Sequence, residues 1–588
     1  MKGSTAGIAA ADYTPRVRIL HIALAAASIP AAAFAGGGIV ADIAGDDWSL
    51  PAWVQPTTGL ELFSESADPA HQVNLRVVDF TWRQLEPAEG VFSTSATDSV
   101  YGMSFASWTS QLAGSDPFWM RIWLSGTNWA PAWAQTACGV ATVGLGYEND
   151  PHLPLWNACL WQKALGVLRW ALETQGLRSN PRLQFLYAPG AFTWCEFDYD
   201  IPTIAADAGD LEFADWHAWF EGAMQSLVDI LDGENGDPSD DYAWKLVYTG
   251  EDYPFGPASW GTQDDLEARD AVAKGMGIRT GITELANFHL NHVPAYGTTI
   301  AADGHMTTDE SAPALDGRRT VATENECYND CGFSTADPYY AVKMSNLKAL
   351  QLRMNRMYVV PGPSYMDAYA AHWNWVRLEL GKTVYTAPDA WVALREAEDT
   401  YWIDDTSYTW TGAPWVKNLE RWVEQRDVAP SAISRRGTDV RTGVLDPTNG
   451  TAYEGRRTEL ALGRDALALF VDPRFLPSGM PAQVDVEVTY RDAGTGSFAL
   501  QYPGAAGAQT TAAQPFAGSG AWRTVTFRVD DGRWNRSLAG GADLRLVAAG
   551  PADLEARFVR LIKRAPPAVI FADDLESGDA RFWAARVP

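Results

Sequence analysis

Positive charge is what this chain has least of. Its 588 residues carry 45 lysines and arginines against 73 aspartates and glutamates, a formal net charge of −28. Nucleic-acid phosphates would be repelled and no basic patch offsets the balance, so that class of partner is excluded. The surplus fits a soluble protein in salty or extracellular surroundings. Metal-ligand patterns are missing as well. There are five cysteines and eight histidines, with no Cys-x-x-Cys and no His-x-x-x-His, and nothing in the residues asks for a metal or another cofactor. The apolar run from Ile19 to Ala33 is too short to span a membrane.

That run fits an export signal instead. Lys2, Arg16 and Arg18 precede it, and Ala33-Phe34-Ala35 is a small-x-small cleavage site before three glycines. Residues 1–35 therefore read as a signal peptide, with a mature chain from near Gly36 and a secreted or cell-surface location. Five is an odd cysteine count for an exported protein. Spacing suggests Cys138 with Cys159 and Cys327 with Cys331, leaving Cys195 free beside Glu196.

Aromatics are abundant. The 26 tryptophans exceed what packing needs, and an indole is rarely wholly buried, so some offer flat faces to a ligand such as a sugar ring. A chain of this length holds two or three domains.

Eight candidate strands run through the first two thirds of the chain: Leu60 to Phe63, Asn74 to Trp82, Phe118 to Ser125, Leu183 to Ala188, Lys245 to Glu251, Gly277 to Glu284, Thr320 to Glu326 and Asn355 to Val360. Helical spacing of apolar residues marks Leu153 to Gln175, Trp216 to Leu231 and Tyr340 to Leu352 between them. Eight strands separated by helical or long insertions predict an α/β fold, a (β/α)8 TIM barrel, here over residues 50–426 with a Trp-rich end segment. Beyond Ser434 short alternating strands with Gly-rich turns predict an antiparallel β-sandwich over 434–564, which either binds carbohydrate through its aromatics (Tyr453, Trp522, Trp534) or, as such domains more often do, serves as a passive lid or spacer. Residues 565–588 form a Pro linker and a tail. That tail resembles the C-terminal ends common on exported bacterial proteins, which implies a sorting signal.

Two acid-bearing strand ends carry the chemistry. The fourth strand leads into Trp194-Cys195-Glu196-Phe197-Asp198, where a carboxylate beside aromatic rings is partly desolvated, as a proton donor must be. The seventh ends in Thr323-Glu324-Asn325-Glu326, whose two glutamates point to one side by strand alternation. Glycosidic cleavage needs one protonated and one ionised carboxyl, and facing barrel strands supply such a pair. Two adjacent acids repel, so a cation such as Arg121 or Arg76 is expected near them.

These features resemble the clan A glycoside hydrolases, the retaining β-glycosidase barrels. The segment Leu75-Arg-Val-Val-Asp-Phe-Thr-Trp-Arg-Gln-Leu-Glu-Pro-Ala-Glu-Gly-Val-Phe92 is similar to the "W..LEP.EG" segment of the family 42 and 35 β-galactosidase-like enzymes. Met120-Arg-Ile-Trp with Pro131-Ala-Trp133 is similar to their "R…P.W" segment, and Leu183 to Glu196 resembles their "G.wGE" strand. The resemblance covers residues 55–400. It implies Glu196 as acid/base and Glu324 as nucleophile, with Glu326 as runner-up. This chain departs in having Cys195 where the clan has Asn before its acid/base. Asn325-Glu326 also looks like the clan's Asn-Glu pair, which under a shifted strand count makes Glu326 the acid/base.

Further candidates for sugar subsites are Arg121, Trp123, Trp129 and Trp194, with Glu284, Asn287 and His289 after the sixth strand. Tyr328 would bond the nucleophile, and Trp373 would be a platform after the eighth strand. The expectation is a retaining hydrolase of a polysaccharide or oligosaccharide, needing no cofactor. An anionic glycan would require local arginines. Two rivals stand beside it: a non-catalytic glycan-binding protein, and a polysaccharide lyase built on Tyr199, His289 and Arg121.

Overall fold

The computed structural model describes residues 37–566 apart from 101–102, 146–149, 191, 198–210, 234–239, 251–262, 282–293, 302–304, 326–337, 398–417, 431–434 and 441–451. Eight parallel strands close into a TIM-barrel-like cylinder: Leu62–Ser64, Leu75–Thr81, Phe118–Trp123, Leu183–Tyr187, Leu246–Gly250, Gly277–Thr280, Val321–Asn325 and Arg356–Val359. Each pairs with its neighbours in chain order, and the eighth closes on the first through Met357 opposite Leu62. All eight lie where the apolar runs predict them. Their residues are mostly buried on both faces, one inside the cylinder and one under helices, with charged side chains such as Asp79, Arg121, Arg279 and Glu324 set among apolar ones.

Helices follow several strands. Ala158–Arg169, Phe213–Asp232, Gln263–Ala273 and Pro338–Gln351 cover the third, fourth, fifth and seventh, and Ala370–Glu379 follows the eighth. Asn157 starts the first of these by accepting from the backbone N–H groups of Cys159 and Leu160. Among the described residues no α-helix follows the first or the sixth strand, where short 3₁₀ turns and the hairpin Thr298–Ile300/Met306–Thr308 stand instead. The Cys138–Cys159 disulfide forms and ties the helix Ala132–Cys138 to Ala158–Arg169; Cys195 is a buried free thiol. Cys327 and Cys331 lie outside the described residues.

The second body is a pair of antiparallel sheets. One has the order Ile39–Ala44, Trp522–Gly532, Ala482–Arg491, Glu555–Lys563, Asp389–Ala393, Leu419–Arg421. The other runs Val423–Arg426, Ala466–Val471, Leu544–Ala549, Ser497–Gly504, Gly507–Thr510. Period-two alternation sends Val484, Val486, Val488 and Phe527 inward to meet Leu467, Leu469, Leu500 and Leu546. The expected boundaries need correcting here. Strands 389–393 and 419–426, assigned above to the barrel's end segment, belong to these sheets, as does Ile39–Ala44 from ahead of the barrel. Short strands in a Trp-rich connector lack the alternation that marks the later ones. Gly37 fits beside this sheet because a Cβ there would meet the Arg528 carbonyl oxygen at 1.8 Å.

Barrel and sandwich are bolted together by buried charges. Arg560, on the strand Glu555–Lys563, donates to Asp389 (2.9 Å) and Glu487 (3.1 Å), and the indole of Trp375 in the helix Ala370–Glu379 donates to the same Asp389 (2.9 Å). Arg421 donates to Glu379 at 2.6 Å. Trp48 packs on Trp375 and Phe558 while its indole N–H donates to Tyr339, which donates to Asp46. Three carboxylates thus share two guanidinia. Burial, reinforced by nearby Asp47 and Asp389 and opposed by Arg560, pushes Glu487 up to about 8.

A carboxyl whose folded pKa is raised holds its proton in the native state while the unfolded chain has lost it. Its stabilisation is complete below the unfolded value and disappears as pH rises through about 8. The thermal midpoint is therefore expected to fall between about pH 5 and 8. Glu487→Gln, which keeps the neutral form at every pH, should flatten that slope in scanning calorimetry.

Candidate active site

Alternation along the barrel strands sorts their side chains. Phe63, Leu75, Trp119, Phe185, Val247 and Ala322 fill the interior as one aromatic and aliphatic plug. Two residues further along their strands, the inward positions become polar. Val77 gives way to Asp79, Trp119 to Arg121, Phe185 to Tyr187, Gly277 to Arg279 and Ala322 to Glu324. Strand register sets these groups opposite one another, Asp79 level with Arg121 and Glu324 level with Tyr358. The charged groups lie toward the C-terminal ends of the strands because that is where the plug stops.

Glu196 reaches this layer by a different route. Its strand ends at Tyr187, not at the acid, and Pro189 and Gly190 release the chain into a loop. Trp194 and Cys195 then both take left-handed backbone (φ 57° and 61°), which costs about 1 kcal/mol or more apiece for residues with a Cβ. The loop is held in that shape from two sides. Thr249 donates its hydroxyl to the Cys195 carbonyl, and the Phe197 N–H donates to the Thr249 carbonyl (3.1 Å). The two strained residues turn the chain so that Glu196 faces back into the cylinder.

There it meets Glu324 on a shared guanidinium. Arg279 Nη1 donates to Glu196 Oε1 at 2.7 Å, and Nη2 pairs with Glu324 Oε2. All three side chains are less than a tenth exposed. The Arg279 guanidinium also lies over the rings of Tyr187 (5.6 Å) and Tyr358 (6.0 Å). Arg279 is the residue the sequence reading missed. Neither Arg76 nor Arg121 plays its part: Arg76 donates to the Val77 carbonyl, and Arg121 serves another set of acids. A signal was present, since an arginine between Ile278 and Thr280 in a wholly buried strand requires a carboxylate partner.

That second set lies across the mouth. Arg121 donates through Nε to Asp79 (2.8 Å) and through Nη2 to Glu65 (2.8 Å), and the Trp123 indole donates to Asp79 (3.0 Å). Rings of Trp119, Trp123 and Trp194 cover the Arg121 guanidinium at 5.0–5.7 Å. Two of the expected subsite tryptophans are thereby corrected. Trp123 and Trp129 are 1% and 0% exposed, packed against each other with tilted rings as wall rather than open platform, whereas Trp194 is only half-buried. Trp373 is also corrected: it is buried within the core on the helix Ala370–Glu379, whose apolar face it helps to form. Glu284, Asn287, His289, Glu326, Tyr328 and Tyr199 lie outside the described residues. Among the described residues no group of three or more His, Cys, Asp and Glu is placed to hold a metal ion.

Removing the cation from between two buried acids leaves both uncompensated. Arg279→Met is expected to cost about 3–5 kcal/mol in urea unfolding at neutral pH, and Arg279→Met/Glu324→Gln should recover much of that loss. No protein-family model matches this sequence and no curated protein matches it, so the site is read from its own geometry.

Proposed function

We propose that this chain is an exported retaining glycoside hydrolase of the (β/α)8 class with a sandwich docked beside its barrel. The observation that carries the reading is the convergence of Glu196 and Glu324 on one guanidinium at the C-terminal mouth of a closed parallel barrel. Retaining enzymes hold their two carboxyl groups roughly 5–5.5 Å apart, and a shared guanidinium keeps Glu196 and Glu324 neighbours.

In the proposed reaction Glu196, in its protonated form, gives its proton to the glycosidic oxygen. The Glu324 carboxylate attacks the anomeric carbon, the bond to the leaving oxygen breaks, and a glycosyl ester forms on Glu324. Glu196, now ionised, takes a proton from water, whose oxygen attacks the same carbon and releases Glu324. Arg279 engages Oε1 of Glu196 and Oε2 of Glu324. Its role is to hold the pair in register. The lyase alternative draws less support, because a lyase needs a cation to neutralise a uronate and both Arg121 and Arg279 are already shared between two acids.

On a panel of polysaccharides and aryl glycosides, Glu196→Gln and Glu324→Gln should each lower turnover by about 10²–10⁴-fold or more. Glu196→Gln should lose least on aryl glycosides whose leaving group needs no protonation. NMR of the first product should show the starting anomeric configuration. An unsaturated product absorbing in the near ultraviolet, or full activity in Glu196→Gln, would refute the assignment.

A further inference from the structure

Two peptide groups flank the Cα of Glu196, and together their planes fix the direction in which its side chain leaves the backbone. Thr249 binds both of them. Its hydroxyl donates to the Cys195 carbonyl, which belongs to the peptide before Glu196. Its own carbonyl accepts from the Phe197 N–H (3.1 Å), which belongs to the peptide after it. Phe192 closes the loop with two more bonds, donating to the Glu196 carbonyl (3.3 Å) and accepting from the Cys195 N–H (3.2 Å). Of these four bonds, the one from the Thr249 hydroxyl can be deleted by a substitution that leaves the main chain intact.

The place of Thr249 in the barrel joins this grip to the ion bridge. Val247 is part of the apolar plug, and Thr249, two residues on, is the fifth strand's inward position in the layer that holds Tyr187, Arg279 and Glu324. It carries no charge there, and it is wholly buried. In strand register it lies opposite Arg279. One pair of neighbouring strands therefore holds Glu196 twice. The fifth takes its backbone through Thr249, and the sixth takes its carboxylate through Arg279 (2.7 Å).

Glu324 has no need of such a device, because it sits within the strand Val321–Asn325. Glu196 lies beyond its strand, after two left-handed residues, and the second of these, Cys195, is the one whose carbonyl Thr249 holds. Without the hydroxyl, that buried carbonyl loses a partner and the left-handed turn loses a bond that offsets its strain. Relaxation of the turn would carry Glu196 off its line while leaving Glu324 on its own strand.

Resting on the reading of Glu196 as acid/base, we propose that Thr249 is a positioning residue that aims this carboxyl at the leaving-group oxygen. Buried behind the loop, it acts through Glu196 alone, so its effect falls on the proton transfer and not on the attack by Glu324.

The test is Thr249→Val in the full-length protein, which replaces the hydroxyl by a methyl group of like size. Values of kcat/KM, which report the first displacement, are compared for methyl and dinitrophenyl β-glycosides of glucose, galactose, mannose and xylose. A methoxide leaving group needs a proton, and a dinitrophenolate does not. Thr249→Val should lower kcat/KM about tenfold to a hundredfold on methyl glycosides, the scale of a misplaced catalytic group, and less than about twofold on dinitrophenyl glycosides. Thr249→Ser keeps the hydroxyl and should restore most of the loss. Thr249→Val added to Glu196→Gln should cost nothing further, since the group it aims is gone. Equal losses on both leaving groups, a serine variant as poor as the valine one, or losses that multiply would overturn the proposal. Should Thr249→Val not fold, Thr249→Ala removes the same hydroxyl and is held to the same outcomes.

Urea unfolding separates this inference from the hydrolase reading. The stability losses of Thr249→Val and Glu196→Gln should overlap, the double variant losing less than the two together, whether or not a glycoside is cleaved. Overlap in a chain that cleaves no glycoside would sink the hydrolase reading and leave Thr249 as the residue that sets Glu196. Strictly additive losses in an active hydrolase would do the reverse.

Discussion

A charge inside a barrel has to be answered there, and Arg279 is the answer on which this mouth depends. An arginine on the sixth strand points into a cylinder filled below it by aromatic and aliphatic side chains, where an unpaired cation could not persist. It is stable because Glu324 from the seventh strand and Glu196 from a loop meet it from two sides. The same rule arranges Arg121 with Asp79 and Glu65. The interior is thus layered, an apolar plug below and two ion clusters above. The change between layers occurs within two residues on each strand that contributes to it.

The acid that reaches farthest is the one held by strain. Trp194 and Cys195 stay left-handed because Thr249 grips the loop from the fifth strand and the Arg279 bridge draws Glu196 inward. Energy lost in the backbone is offset by bonds made at its ends, an exchange that recurs where a side chain must be aimed rather than merely placed. Behind the barrel a comparable network of Arg560, Asp389, Glu487 and Trp375 fixes the last helix to the sandwich. The cylinder is therefore braced on the side away from its fourth strand.

Much of this was legible in the residues and some of it was not. Both-face burial left apolar residues on the barrel strands, most continuously on the third, fourth and fifth, so their positions and order could be read, as could the alternation of the later sandwich strands. Glu324 could be placed because a strand has only two faces. Glu196 could be singled out but not located, since the course of a loop depends on partners such as Thr249 that are remote in sequence. Arg279 was overlooked because a lone arginine beside glycine and threonine resembles a solvated strand end until its neighbours are known. Tryptophan misled for the opposite reason. A large ring serves a wall as well as a platform, and Trp123, Trp129 and Trp373 turned out to be wall and core.

The strand Ile39–Ala44 lies in the sheet beside Trp522–Gly532, with Asp42 bonded to Arg523 across 481 positions of chain. A ribosome would deliver these two strands far apart in synthesis, with the whole cylinder emerging in between. The early segment must therefore wait, unpaired and able to associate wrongly, until the late strands arrive. Assembly of the sandwich is consequently a late event of high contact order, and the cylinder has time to close first.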